Sequence, residues 1–428
     1  MESAATSVTL SGWLAYLETL HPKAIAMGLD RVRAVYERLG VELACPIATV
    51  AGTNGKGSTC AMLDRMLRCA GYRVGTYTSP HLLRYNERVR LDGVDASDDA
   101  LCTAFAAVEA ARGDTALTYF EFGTLAALWL FAHARLDALV VEVGLGGRLD
   151  AVNIVDADVA VVTTIDIDHV DYLGATRDEI GREKAGIFRA GRTAVCGERD
   201  PPQSVLAFAA SMGAKLLRIG VDYDFDAKDH QWSYWGPGGA RHGLPHPALR
   251  GVYQLANAAT ALTALDALRE RLPVGMGAIR EALVSVELPG RFQVLPGRPV
   301  TVLDVAHNPQ SARVLSEGLA AMGFHRQTRA VFGVMADKDI DRIIAVVKGR
   351  VDDWHVATLP SPRGATAQRL RERLESAGVA SAAIREFEDA GDAYLAARGA
   401  SGEADRIIVF GSFLTVAAAL AQRSAGAL

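Results

Sequence analysis

The chain has 428 residues, 50% hydrophobic and 22% charged, which excludes a disordered or fibrous protein and leaves room for two or three domains of roughly 150 residues. Forty-five Lys and Arg face fifty Asp and Glu, so the net charge of −5 excludes a whole-protein footprint for nucleic acid. Five scattered cysteines form no C-x-x-C pair, and neither a signal-like start nor a run of roughly 18 apolar residues is present, so a reduced, cytoplasmic protein with no membrane segment is expected.

Short β-branched runs, "IATV" from 47, "VGTYT" from 74, "ALVVEV" from 138 and "VAVVTTI" from 159, alternate with helical patterns. That rhythm predicts βαβ units around a mainly parallel sheet. Between the first run and a helix over 59–70 lies "TVAGTNGKGSTC", 49–60. Its glycines are too closely spaced for the general phosphate loop, and Gly57 separates Lys56 from Ser58. Small residues before a helix can still wrap an anion, because the first helical amides lack partners and carry the positive end of the helix dipole. Lys56 would add a charge, and Ser58 or Thr59 a hydroxyl for magnesium; a plain tight turn with Lys56 in solvent is the alternative.

Glu142 is an acid inside an apolar strand and needs a partner, either a metal ion or Arg148. "TTIDIDHVDYLG", 163–174, ends a strand with Asp166, Asp168, His169 and Asp171, which reads as a metal or catalytic site or as a solvated acidic turn. In "TRDEIGREKAGIF" Thr176 and Glu179 predict a capping box, with Lys184 two turns into the helix; on its own Lys184 reads as a surface lysine. The aromatic, turn-rich stretch 221–247 predicts a small β-hairpin insertion. "VELPGRFQVLPGRP", 286–299, is a domain boundary with Arg291 in it, giving domains 1–288 and 299–428 around a linker 289–298. The second, smaller α/β unit offers its own polar strand ends, Asp304 with His307 and Asn308, and Lys338 with Asp339, which implies a cleft between the two domains.

Together, "GTNGKGS", "TSPHLLRYNERVR" (78–90), "TYFEFGTLAALWLF" (118–131), "EVGLGGRLDAVNIVDADVAVVT" (142–163), "IGREKAGIFR" (180–189), "LPGRFQ" (288–293), "DVAHNP" (304–309) and "GSFLTVA" (411–417) resemble, in order, segments of the folylpolyglutamate synthase family of the Mur ligase superfamily. "LHPKAIAMGLDRV" and "SPRGATAQRL" are similar to its bacterial bifunctional members, which also make dihydrofolate. The loop is that family's own form of the phosphate loop. Where the family often has "LDATN" this chain has "LDAVN", so Val152 lacks a hydroxyl.

The resemblance implies an N-terminal P-loop ATPase domain with a mainly parallel sheet, a smaller C-terminal Rossmann-like domain, and ATP-dependent ligation of L-glutamate to dihydropteroate and to tetrahydrofolate or its polyglutamates through an acyl phosphate. Thr53, Asn54, Gly55, Lys56, Gly57 and Ser58 would cradle the ATP phosphates, joined by Asn257, Arg291, Asp304 and His307. Ser58, Ser79, Glu142, His169 and Lys184 would hold Mg2+ at two sites, Lys184 as a carbamate, and Lys56, Glu142, His169 and Lys184 would be the catalytic set. Ala24, Ile25, Ala26, Met27, Phe120, Glu121, Phe122, Leu149, Asp150 and Ala151 would bind the pterin, with Phe122 offering an aromatic face and Asp150 an acceptor. A monomer is expected. A monofunctional synthase, a Mur-type peptide ligase and a nucleotide switch without ligase activity are the alternatives; the switch has no need of the His169 and Lys184 set.

Overall fold

The computed structural model describes residues 9–23, 25–251 and 253–425. Contacts divide the chain into two compact units, Met1–Ala248 with Leu255–Val286, and Leu249–Gln254 with Glu287–Leu428.

The first unit is built on eight strands: β1 (Ile47–Ala51), β2 (Val74–Tyr77), β3 (Val89–Leu91), β4 (Val94–Asp95), β5 (Ala138–Glu142), β6 (Val159–Val162), β7 (Thr193–Cys196) and β8 (Lys215–Arg218). They lie in the order β4-β3-β2-β5-β1-β6-β7-β8. All pairs from β2 to β8 are parallel, and β3 and β4 add an antiparallel edge. Every residue of β1, β5 and β6 is buried, as expected of strands covered on both faces, and each is apolar but for Thr49 in β1 and Glu142 at the end of β5. Sheet order places β1 between β5 and β6, and the chain crosses β1 in passing from one to the other. The carboxyl ends of β5, β1 and β6 therefore converge where open α/β sheets bind ligands.

The helix Lys56–Cys69 follows β1 and buries Met62, Leu63, Met66 and Leu67 at helical spacing, and Gly71, at φ +91°, lets the chain turn away after it. Helix Tyr119–His133 opens on a capping box between Thr118 and Glu121. Its apolar residues join Trp13, Tyr85 and Phe105 in one core.

The insertion has three strands rather than the two of a hairpin: β9 (Asp224–Ala227), β10 (Trp232–Gly236) and β11 (Gly239–Leu244), ordered β11-β10-β9. It is bound to the helix Gln254–Leu268 by polar groups. Tyr223 shares a hydrogen bond with Thr260 at 3.0 Å; Tyr234 does so with Thr263 at 3.0 Å and donates to Asp266 at 2.9 Å. Arg241 pairs with the same Asp266.

The second unit holds a six-stranded sheet, β12 (Gln293–Leu295), β13 (Val300–Asp304), β14 (Thr328–Phe332), β15 (Asp353–Ala357), β16 (Ile384–Phe387) and β17 (Arg406–Phe410), ordered β12-β13-β17-β14-β15-β16. Only β12 runs antiparallel to its neighbour. The stretch 289–298 thus carries an edge strand of this sheet: Gln293, Val294 and Leu295 pair with Leu303, Val302 and Thr301. Between them the two units form the α/β fold that the strand–helix rhythm predicts. Among the described residues no helix is long and apolar enough to cross a membrane.

Candidate active site

The loop after β1 is shaped by the end of β6. Gly52 has φ +152°, and a β-carbon on it would lie 1.9 Å from the Thr163 hydroxyl, so only glycine fits. Thr163 Oγ1 donates to Asn54 O at 2.7 Å, and Asn54 N donates to Thr164 Oγ1 at 3.0 Å. Thr53 Oγ1 donates to Asp166 O at 3.1 Å and accepts from Asp166 N at 3.0 Å. Gly55, at φ +89°, starts the helix Lys56–Cys69, whose first amides face the loop. Asn257 lies against Gly55. Lys56 curls over the loop and donates to Gly52 O at 3.0 Å and Thr53 O at 3.2 Å. Small residues before a helix start, with the Lys56 ammonium folded onto them, are the arrangement an anion site requires.

Parallel register sets Glu142 opposite Val50, two residues before Gly52. Its carboxylate is 4% exposed and accepts the Ser79 backbone N–H at 3.2 Å. Arg148, the alternative partner, is bonded to Glu183 at 2.8 Å instead. His169 caps the short helix Val170–Leu173 at φ 52°, and its amide donates to Asp168 at 2.9 Å. Thr176 and Glu179 form the expected capping box for Arg177–Ala185. That helix places Lys184 inside the protein, 3% exposed, rather than on the surface. Burial, and next the Lys56 charge, lower the Lys184 pKa to about 7 against the pull of Asp168. Lys184, Lys56 and Asp168 thus share one electrostatic neighbourhood. Among the described residues no three His, Cys, Asp or Glu side chains make a metal cluster. A hard cation fits here through a different donor set: the buried Glu142 carboxylate, serine hydroxyls and nucleotide oxygens.

The pterin-segment residues fall into two groups. Gly28 N donates to Leu149 O at 3.4 Å, and the Met27 methyl lies 3.8 Å from where a β-carbon on Gly146 would stand, so the loop of Ile25, Ala26 and Met27 adjoins that of Leu149, Asp150 and Ala151. The Phe120 ring covers Gly144, leaving only 2.6 Å to a β-carbon there. Asp150 accepts Leu145 N at 2.8 Å and Val152 N at 3.0 Å, and burial raises its pKa to about 7 despite those bonds. Phe122 and Glu121 are differently employed. Phe122 is 0% exposed, 5.7 Å from Phe105 and 6.4 Å from Trp13, so its ring belongs to the core and Phe120 is the aromatic at this edge. Glu121 accepts Thr118 N at 2.8 Å and pairs with Arg31 at 2.7 Å, which itself holds Ala26 O at 2.9 Å. Ala24 lies outside the described residues.

In the second unit Asp304 ends β13 and accepts Phe292 N at 2.8 Å and Ala306 N at 2.7 Å. Burial raises its pKa while the neighbouring Arg291 opposes the shift. Arg291 lies 5.0 Å from the Phe413 ring centroid, and His307 Nδ1 donates to Val305 O at 2.8 Å. Arg291, Asp304 and His307 therefore form one cluster within this unit. Sequence reasoning missed Thr163 and Thr164, which shape the phosphate loop; two adjacent hydroxyls ending an apolar strand were the signal.

The model of the Mur ligase middle domain matches residues 50–265, and that of the Mur ligase glutamate ligase domain matches 290–413. A dihydrofolate synthase/folylpolyglutamate synthase of Escherichia coli K12 is 48% identical over 97% of both chains. The structure of E. coli FolC in complex with DHPP and ADP has a TM-score of 0.93 at 46% identity, covering 99% of each chain. A bifunctional folylpolyglutamate synthase/dihydrofolate synthase from Yersinia pestis, complexed with AMPPNP and Mn ion, has a TM-score of 0.90 at 49% identity, covering 99% of this chain and 100% of that one. The chain belongs to the dihydrofolate synthase/folylpolyglutamate synthase family of Mur ligases.

Proposed function

We propose that this protein is an ATP-dependent amide ligase that adds L-glutamate to dihydropteroate, giving dihydrofolate, and to tetrahydrofolate or its polyglutamates. The observation that carries this reading is the phosphate loop 52–58 set beside Glu142 and buried Lys184, with the paired loops of Met27 and Leu149 next to them. An ordinary carboxylate is a poor electrophile. Transfer of the γ-phosphoryl group of ATP to it forms an acyl phosphate and ADP; the α-amine of glutamate then attacks the carbonyl carbon, the amide C–N bond forms, phosphate leaves and the amine loses a proton.

The protein's part is placement and charge neutralisation. Amides of Thr53–Ser58 and the Lys56 ammonium would hold the phosphates, and Asn257, which lies against Gly55, would contact the nucleotide. Mg2+, at two sites held by Ser58, Ser79, Glu142, His169 and Lys184, supplies neutralising charge to the phosphate oxygens when bound. Lys184 is proposed to act as a carbamate, since reaction of its amine with carbon dioxide turns a buried cation into an oxygen donor. Ile25, Ala26, Met27, Phe120, Leu149, Asp150 and Ala151 seat the pterin. The enzyme is proposed to work in the cytoplasm as a monomer. Incubation with ATP, glutamate and either dihydropteroate or tetrahydrofolate, read by mass spectrometry, tests this: each substrate should gain glutamate, and ADP release without a glutamylated product would overturn it.

A further inference from the structure

The stretch Ser79–Arg88 gives the proposed site only Ser79, yet its last two residues, Glu87 and Arg88, both hold the turn before them. Glu87 Oε2 accepts Leu82 N–H at 2.7 Å, while Oε1 accepts Leu83 N–H at 2.8 Å and Arg84 N–H at 2.7 Å. Three successive amides thus converge on one carboxylate, and charge-assisted bonds of this kind are the strong ones. Arg88 Nε donates to His81 Nδ1 at 2.9 Å, and Arg88 O accepts Thr78 N at 2.9 Å. The Arg88 guanidinium is itself fixed, 5.3 Å and 5.5 Å from the Tyr85 and Tyr119 ring centroids. Asn86 Nδ2 donates to Ala96 O at 2.7 Å and to Asp98 at 2.8 Å.

Leu83 and Arg84 are exposed, so water would satisfy their amides at little cost, and Glu87 also closes the capping box with Arg84 that starts the short helix Tyr85–Arg88. Ser79 precedes this turn by three residues, and its amide is bonded to Glu142. Resting on the reading of Ser79 as a metal ligand, we infer that Glu87 is a positioning residue: it clamps the turn Leu82–Arg84 so that Ser79 stays beside Glu142, ready for the metal–nucleotide complex. Arg88 supports the same turn through His81.

The test is Mn2+ binding followed by electron paramagnetic resonance with AMPPNP present, together with the Mg2+ dependence of turnover, in Glu87→Gln, Glu87→Asp and Ser79→Ala. Glu87→Gln should weaken Mn2+ binding and raise the half-saturating Mg2+ by about tenfold, the size typical of residues that orient metal ligands. Turnover at saturating Mg2+ and the KM for pteroate should stay near wild type. Glu87→Asp, which keeps the charge but shortens the reach, should fall between, and it carries the test if Glu87→Gln does not fold. Unchanged Mn2+ affinity in the Glu87 variants while Ser79→Ala loses it overturns the clamp. Unchanged affinity in Ser79→Ala overturns the assignment of Ser79 beneath it.

Discussion

A β-carbon on Gly55 would stand 2.6 Å from the side-chain oxygen of Asn257, so the helix that carries Asn257 is seated directly on the phosphate loop. Replacing Gly55 by alanine would displace Asn257 and place a side chain at φ +89°. That conformation costs a residue other than glycine about 1–2 kcal/mol of stability, and with Asn257 moved off the loop ADP affinity should fall by about tenfold. Calorimetric titration with ADP checks this, and wild-type affinity in a folded variant would refute the seat.

Lys56 follows β1 and Glu142 ends the neighbouring strand β5, and both are proposed to act on the ATP phosphates. Lys56→Ala and Glu142→Ala should each lower glutamate-dependent ADP release by at least about 100-fold, the loss expected on removing one preorganised charge-stabilising group. Both variants should still bind the pteroate substrate, whose segment lies on other loops. Near-normal turnover in either would dismiss the site assignment.

Lys184 has the environment a carbamate requires, buried and with an amine that is easily neutral. Protein equilibrated with 13C-labelled bicarbonate should show one carbamate resonance in 13C NMR that is absent from Lys184→Met. Full activity under bicarbonate-replete conditions with no such resonance would remove the carbamate.

His355, on β15, is 0% exposed, neither ring nitrogen has a hydrogen-bond partner among the described residues, and its ring is stacked 5.6 Å from that of Phe387. Burial, then Arg385 and Arg329 against the opposing Asp353, lower its pKa from 6.5 to about 4. The native state therefore holds this histidine neutral while the unfolded chain protonates it, so stability falls as pH drops from about 6.5 to about 4, by up to about 1.4 kcal/mol per unit. His355→Phe keeps the ring stack and removes the titration. Urea unfolding at pH 7 and pH 5 should show the variant losing less stability than wild type, and parallel losses would disprove it.

What could be read from the sequence was the local chemistry. The turn before Lys56, the capping box at Thr176 and the odd acid in β5 each depend on a few neighbouring residues, and they stand where the pattern puts them. The role of Phe122 could not be read, because Phe120 and Phe122 share one apolar helix start and only the packing against Trp13 and Phe105 separates core from edge. Lys184 looks like a surface lysine in a polar helix until the fold buries it. Strand order was equally hidden, since parallel crossovers are decided by packing between distant segments. The edge strand β12 was obscured by the prolines and glycines on either side of it.

Asn257, Thr260, Thr263 and Asp266 recur every third residue along one helix. The first meets the phosphate loop and the other three are gripped by tyrosines 223 and 234 and by Arg241. The three-stranded insertion, which holds none of the proposed catalytic groups, is thereby a splint on the helix that meets the loop 52–58, the proposed nucleotide site. Trimming it as surplus loop would leave the proposed ATP cradle leaning on an unbraced helix.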